Sequence, residues 1–88
     1  MKHSTDEEQW HLYIVECRDG SLYTGITNDL HRRIAAHNEG TGARFTRGRR
    51  PVRLIYTEIL PDRSAATKRE LQIKKLSRAE KLQMISAG

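Results

Sequence analysis

Early in the chain, two segments with the composition of β-strands meet across a tight turn, and that pairing limits the folds available. Residues 10–18, WHLYIVECR, are rich in aromatic and β-branched residues, which suit a pleated strand. Asp19-Gly20 is a turn signal, and SLYTG at 21–25 returns as a second strand. The loop length sets which side chains share a face. A two-residue Asp-Gly loop places Tyr23 opposite Glu16 and sends Tyr13 and Tyr23 to opposite faces. A three-residue loop, Arg18 to Gly20, pairs Cys17 with Ser21 and Val15 with Tyr23, so both tyrosines lie on one face, diagonally near each other. A type I turn with Gly20 in the left-handed position suits the longer loop, and a site shared by the two tyrosines requires it.

The rest of the chain supplies one more strand and the helices that cover the sheet. Thr27 or Asn28 is expected to cap a helix running to about Glu39, with Gly40 as its stop. GTGARFTRGRRP follows as a glycine- and arginine-rich connection with room for one short helical turn. Residues 52–60, VRLIYTEIL, predict a third strand that Pro61-Asp62 ends. A helix is expected from Ser64 to about Lys75, and a last one begins at Ser77, where Glu80 three residues on completes a capping box. The order β-β-α-β-α-α predicts an α+β domain on a small antiparallel sheet. At 88 residues the chain has length for one core. Residues 1–9 read as a flexible tail and 10–88 as a single domain.

Charge points to the partner. Hydrophobic residues make up 36% and charged ones 31%, the balance of a folded soluble domain rather than a disordered chain. The net charge is +5, and it is unevenly placed. From Gly40 to Tyr56 there is no acidic residue, while Arg44, Arg47, Arg49, Arg50 and Arg53 all fall there; three acids, Asp6, Glu7 and Glu8, gather in the expected tail. Such a body suits a polyanion, most simply DNA or RNA. No apolar run is long enough to span a membrane, and the N-terminus has no apolar signal region. Cys17 is the only cysteine, so an internal disulfide and a cysteine metal cluster are both excluded, and a cytoplasmic location is expected.

Three polar residues sit at the margins of helical stripes. Leu30 and Ile34, four apart, give the first helix an apolar stripe, and Arg33 and His37, also four apart, flank it. For each alone the plain alternative is a solvent arginine and an exposed histidine. On the later helix, Ile73 should face the core and Glu70 its margin. Glu70 is either half of a surface pair with Lys74 or a carboxylate ligand for a hard divalent ion.

Taken together, these residues carry a family resemblance. HLY at 11–13, YTG at 23–25, the helix TNDLHRRIAAH at 27–37 and Glu70 in TKRELQIKKL resemble the GIY-YIG nuclease domain, above all its small single-domain bacterial branch. The likeness covers about residues 10 to 86. Tyr13 matches the tyrosine closing the first motif, with His11 and Leu12 standing for its Gly and Ile. Tyr23 and Gly25 match the ends of the second motif, with Thr24 in place of Ile. Arg33 matches the catalytic arginine, His37 falls where several members carry a functional histidine or tyrosine, and Glu70 matches the metal-binding glutamate. The resemblance implies a three-stranded antiparallel sheet flanked by helices and phosphodiester cleavage, of DNA rather than RNA, dependent on Mg²⁺ or Mn²⁺. Most active relatives carry a separate module that selects the substrate, so a protein partner supplying specificity is a further expectation.

On that resemblance, Glu70 holds the metal, Arg33 grips the non-bridging oxygens, and Tyr13 orients or deprotonates the water with Tyr23 as its partner. A phenol with a pKa of about 10 needs cationic help to ionise at neutral pH, so His37 is the rival base. Gly25 is given a structural role, permitting close approach of helix or substrate. Arg44, Arg47, Arg49 and Arg50 are expected to hold phosphates without reading bases. Two other readings stand beside the nuclease: a nucleic-acid-binding module with a decayed or partner-dependent site, and a small protein whose basic face meets an acidic protein.

Overall fold

The computed structural model describes residues 9–87, so most of the expected tail lies outside the described residues. Three strands form one antiparallel sheet in the order β2-β1-β3: β1 Trp10–Glu16, β2 Leu22–Thr27 and β3 Arg53–Leu60. Four helices accompany them: α1 Leu30–Glu39, the single turn α2 Arg44–Arg47, α3 Arg63–Lys74 and α4 Arg78–Ala87. The observed order, β-β-α-α-β-α-α, is the expected one with the short turn counted as a helix.

The hairpin takes the three-residue loop. Val15 pairs with Tyr23 and Tyr13 with Gly25. Cys17 N–H donates to Ser21 at 2.8 Å, Gly20 N–H closes back on Cys17 at 2.9 Å, and Gly20 has φ +86°. A side chain at that φ crowds its own backbone, so glycine belongs there. Both tyrosines therefore share a face, and their ring centroids lie 6.4 Å apart.

The central position of β1 explains its composition. Leu12, Tyr13, Ile14 and Val15 are all fully buried, because helices cover both faces of this strand. On one face Tyr13, Val15, Cys17 and Val52 pack with Leu30 and Ile34 of α1 and with Tyr23. On the other, Leu12 and Ile14 meet Ile73 of α3 and Met84 and Ile85 of α4. The pairing of β1 with β3 shifts register between Ile14 and Val15, a bulge that brings Leu54 opposite Val15.

Helix ends follow local side-chain chemistry, with two shifts from expectation. Asp29, rather than Thr27 or Asn28, caps α1 by accepting the Arg32 N–H at 3.2 Å, while Thr27 Oγ1 takes the Asp29 N–H at 3.0 Å. Gly40 ends α1 in the left-handed conformation, φ +87°. Asp62 caps α3 by accepting from Ala65 at 2.8 Å, so that helix begins one residue before Ser64. The Ser77–Glu80 box forms as expected, with reciprocal bonds of 2.8 and 3.1 Å.

Candidate active site

The face of the sheet beneath α1 gathers a polar cluster from three elements. Tyr13 rises from the middle of β1, and its ring lies over Gly25 on the paired strand. A Cβ at Gly25 would sit 2.5 Å from the Tyr13 hydroxyl and 2.7 Å from its Cζ. That glycine is the space the phenol occupies, which gives the close approach at Gly25 a partner in neither helix nor substrate.

α1 then lowers two residues onto the phenol. Tyr13 Oη is 2.7 Å from His37 Nε2, and Arg33 Nε donates to the same oxygen at 3.3 Å. His37, expected at the border of the apolar stripe, is instead fully buried. Its Nδ1 lies 2.7 Å from Thr46 Oγ1 on α2, and Thr46 donates its one hydroxyl proton to Ala43 O at 3.0 Å. Thr46 must therefore accept from His37 Nδ1–H, which leaves Nε2 to accept from Tyr13. The chain of donors runs one way, from Tyr13 through His37 and Thr46 to the Ala43 carbonyl.

Gly42 holds this chain together. A Cβ there would lie 2.5 Å from His37 Nδ1 and 2.8 Å from its Cα, so the loop can close over the imidazole only without a side chain. Neither Gly42 nor Thr46 has a signal in the sequence beyond belonging to a glycine-rich link.

Burial sets the protonation states. It pushes the Tyr13 phenol above its ordinary pKa, outweighing the hydrogen bond and charge of Arg33 that pull the other way; Tyr23 and Glu70 add smaller upward pushes. Arg33 supplies the cationic help the phenol needs, but burial outweighs it. Burial first, and then the Arg33 charge, hold His37 below its usual range, so its imidazole is neutral at neutral pH. Arg33 itself is raised, chiefly by its bond to Tyr13.

Around this buried centre lies a partly exposed rim. Tyr23 and Arg33 are half-buried, Tyr23 packs edge-on to His37 with centroids 5.3 Å apart, and Phe45 stacks on Tyr23 at 5.8 Å. Glu70 comes from α3, its side chain 19% exposed, and pairs with Lys74 at 3.1 Å. Its charge is the smallest of the influences on the Tyr13 phenol. Among the described residues, no three of histidine, cysteine, aspartate and glutamate converge as a metal cage.

The basic segment divides. Arg44 and Arg47 are exposed. Arg49 is tied to Asp19 at 3.1 Å and to the Phe45 carbonyl at 2.7 Å, with its guanidinium 4.1 Å over the Phe45 ring. Arg50 donates to the carbonyls of Arg47 at 3.0 Å and Asn38 at 3.5 Å.

A central strand carrying the first motif's tyrosine, a paired strand ending in the glycine that admits it, and an arginine on the following helix define a GIY-YIG domain. The pattern of the GIY-YIG catalytic domain matches residues 9–83, and the chain belongs to that family. Within it, the chain is 51% identical over 81 residues to a UPF0213 protein of Staphylococcus saprophyticus, covering 92% of this chain and 99% of that one. It is 54% identical over 85 residues to a UPF0213 protein of Desulfotalea psychrophila, covering 96% of this chain and 77% of that one. Two structures solved in solution by NMR share the fold. A UPF0213 protein of Bacillus halodurans, 47% identical, superposes with a TM-score of 0.59 over 90% of this chain and 84% of its own. A protein of E. faecalis, 40% identical, gives 0.64 over 99% and 90%.

Proposed function

We propose that the chain is a divalent-metal-dependent endonuclease that hydrolyses DNA phosphodiester bonds, with RNA as the alternative polyanion. One observation carries the reading. Arg33 lies beside two phenols, Tyr13 and Tyr23, is bonded to Tyr13, and has no ion-pair partner among the described residues. A guanidinium held in place by a phenol and left without a counter-charge is ready for a phosphoryl oxygen.

The roles follow from exposure. Arg33 binds the non-bridging oxygens and opposes the charge that grows on them. Tyr23, the half-buried phenol, meets and orients the attacking water. Tyr13 is buried, so it acts from behind: its oxygen holds Arg33, and its O–H leads to the neutral acceptor His37 Nε2. A proton reaching the Tyr13 oxygen can leave through that bond, which makes Tyr13 and His37 one base rather than rivals. Glu70 fits Mg²⁺ or Mn²⁺ by its chemistry, since its oxygens are hard and Mg²⁺ keeps several waters while binding only one or two carboxylates plus substrate phosphate oxygens. Such an ion, when bound, would supply Lewis-acid stabilisation at the leaving oxygen. The basic residues Arg44, Arg47, Arg49 and Arg50 would hold flanking phosphates, and a protein partner would supply substrate choice. A cytoplasmic location is part of the same proposal; among the described residues no helix is long and apolar enough to cross a membrane.

The binding-module reading has one observation in its favour, the complete burial of Tyr13 and His37. The deciding experiment offers labelled linear, single-stranded, nicked and branched DNAs with Mg²⁺ or Mn²⁺, beside EDTA and a folded Glu70→Ala variant. Metal-dependent products that vanish in the variant are expected. Binding without products across the panel would favour the module.

A further inference from the structure

An open cleft lies at the far end of α1. Arg18 from the hairpin turn, Asn38 from α1, and Arg47, Gly48, Arg50 and Pro51 from the link to β3 line its volume of about 450 Å³. None of these six residues is acidic. Asn38 and His37 are adjacent on α1, so their side chains point about 100° apart. His37 turns in to Tyr13, while Asn38 braces the cleft wall by accepting the Val52 N–H at 2.7 Å and donating to the Val52 carbonyl at 3.3 Å.

Of the three arginines only Arg50 has its side chain held by hydrogen bonds, and none is neutralised by an acid among the described residues. Arg50 is anchored by two carbonyls and lies against Gly40, where a Cβ would come within 2.7 Å of its guanidinium. Carbonyls fix its direction and leave its charge uncompensated. The side chains of Arg18 and Arg47 make no ion pair or hydrogen bond among the described residues, and the Arg18 backbone is pinned by its N–H to Arg49 O at 2.9 Å. Three other arginines are matched with acids: Arg49 with Asp19, Arg53 with Glu16, Arg69 with Glu58. Three arginines and no carboxylate line this concavity, which concentrates positive potential there.

We propose that this cleft is a phosphate site that grips a nucleic-acid strand at a point away from the bond being cut. The assignment to a strand rests on the nucleic-acid reading above; the anion site itself does not. The cleft is larger than one phosphate needs and open to solvent, which suits a strand running through it rather than a small molecule enclosed. It also includes Arg18, which sequence reasoning passed over, and leaves out Arg49, whose charge is answered by Asp19.

The test is fluorescence anisotropy of a labelled oligonucleotide in EDTA, so that binding is read without cleavage, over a salt series. The Arg18→Gln/Arg47→Gln double variant is compared with wild type and with Arg63→Gln, which removes an exposed charge resting on Trp10. The double variant should bind roughly tenfold more weakly, with a log–log salt slope shallower by about two, while Arg63→Gln changes little. Equal affinity and slope in the double variant and wild type would overturn the site, as would an equal loss in Arg63→Gln. A titration with inorganic phosphate separates the two sources of the anion. Saturating shifts of the Gly48 amide that DNA fails to displace would overturn the strand assignment; competition by DNA supports it. Loss of binding in the double variant of a protein that cuts nothing would retain the cleft and remove the nuclease reading. Unchanged binding in a protein that does cut would remove the cleft alone.

Discussion

The two faces of the sheet each carry a tyrosine–arginine cluster, and they are built to opposite ends. Beneath α1, Tyr13 bonds Arg33 and His37, and no carboxylate closes on the guanidinium. Beneath α3 and α4, Tyr56 donates to Glu58, and Glu58 takes Arg69 in a two-pronged pair at 2.8 and 2.9 Å, with Gln72 adding a bond at 3.0 Å. Arg69 holds the Glu58 carboxylate below the usual range, and Glu58 in turn raises Arg69. The second cluster satisfies itself and ties β3 to α3. The first leaves a fixed positive group facing outward. An arginine beside a tyrosine is therefore no sign of a site by itself; in our proposal it is the missing counter-charge at a phenol-held arginine that marks one.

Three results would break or sharpen that contrast. The largest change is expected at Gly25. Gly25→Ala forces a methyl onto the Tyr13 phenol, and overpacking of this kind costs about 1–3 kcal/mol. Urea denaturation should show the loss, together with a displaced Tyr13 ring; wild-type stability would mean that the phenol has other room. Arg69→Ala should cost about 1–2 kcal/mol, less than a fully buried pair because solvent reaches both partners, and should leave DNA binding unchanged. A loss of binding at wild-type stability would give the second cluster a function of its own.

The smallest effect is a difference in pH windows. His37 is held below its ordinary value of about 6.5, so as pH falls through that value the unfolded chain takes up the proton first. Stability present above about 6.5 is then lost progressively toward the folded-state pKa. Glu58 is a depressed carboxylate, so its contribution persists above about 4.3, the ordinary glutamate value, and is lost only as pH falls further, through its folded-state pKa. Denaturation across a pH series should show a first decline that His37→Gln flattens and a second, more acidic one that Glu58→Gln flattens. A first decline unaltered in His37→Gln would mean that its imidazole is not buried neutral.

Most of the scaffold was legible because its signals are local. Gly20 marks the turn and suits the loop that unites the tyrosines, although a two-residue Asp-Gly turn fits the sequence as well, and Ser77 with Glu80 carries its own geometry. The candidate residues were also legible, through motifs on adjacent elements. What stayed hidden was tertiary. Nothing in HRRIAAHN shows that His37 turns inward, since that depends on Gly42 letting the loop close and on Thr46 arriving to accept its proton. Nor does the sequence distinguish Arg33 from Arg69. Both lie on a helix packed against the sheet and next to another charged residue, and only the fold brings Glu58 to one and not the other.

The most direct measurement is the single-turnover rate of metal-dependent DNA cleavage by Arg33→Ala and Arg69→Ala, each assayed under conditions where it is folded. Loss of a transition-state donor typically lowers the rate by about 10²–10³-fold, and that is the expectation for Arg33→Ala, with affinity largely kept and with Arg69→Ala close to wild type. Equal rates for the two variants would contradict the claim that the uncompensated arginine marks the active face.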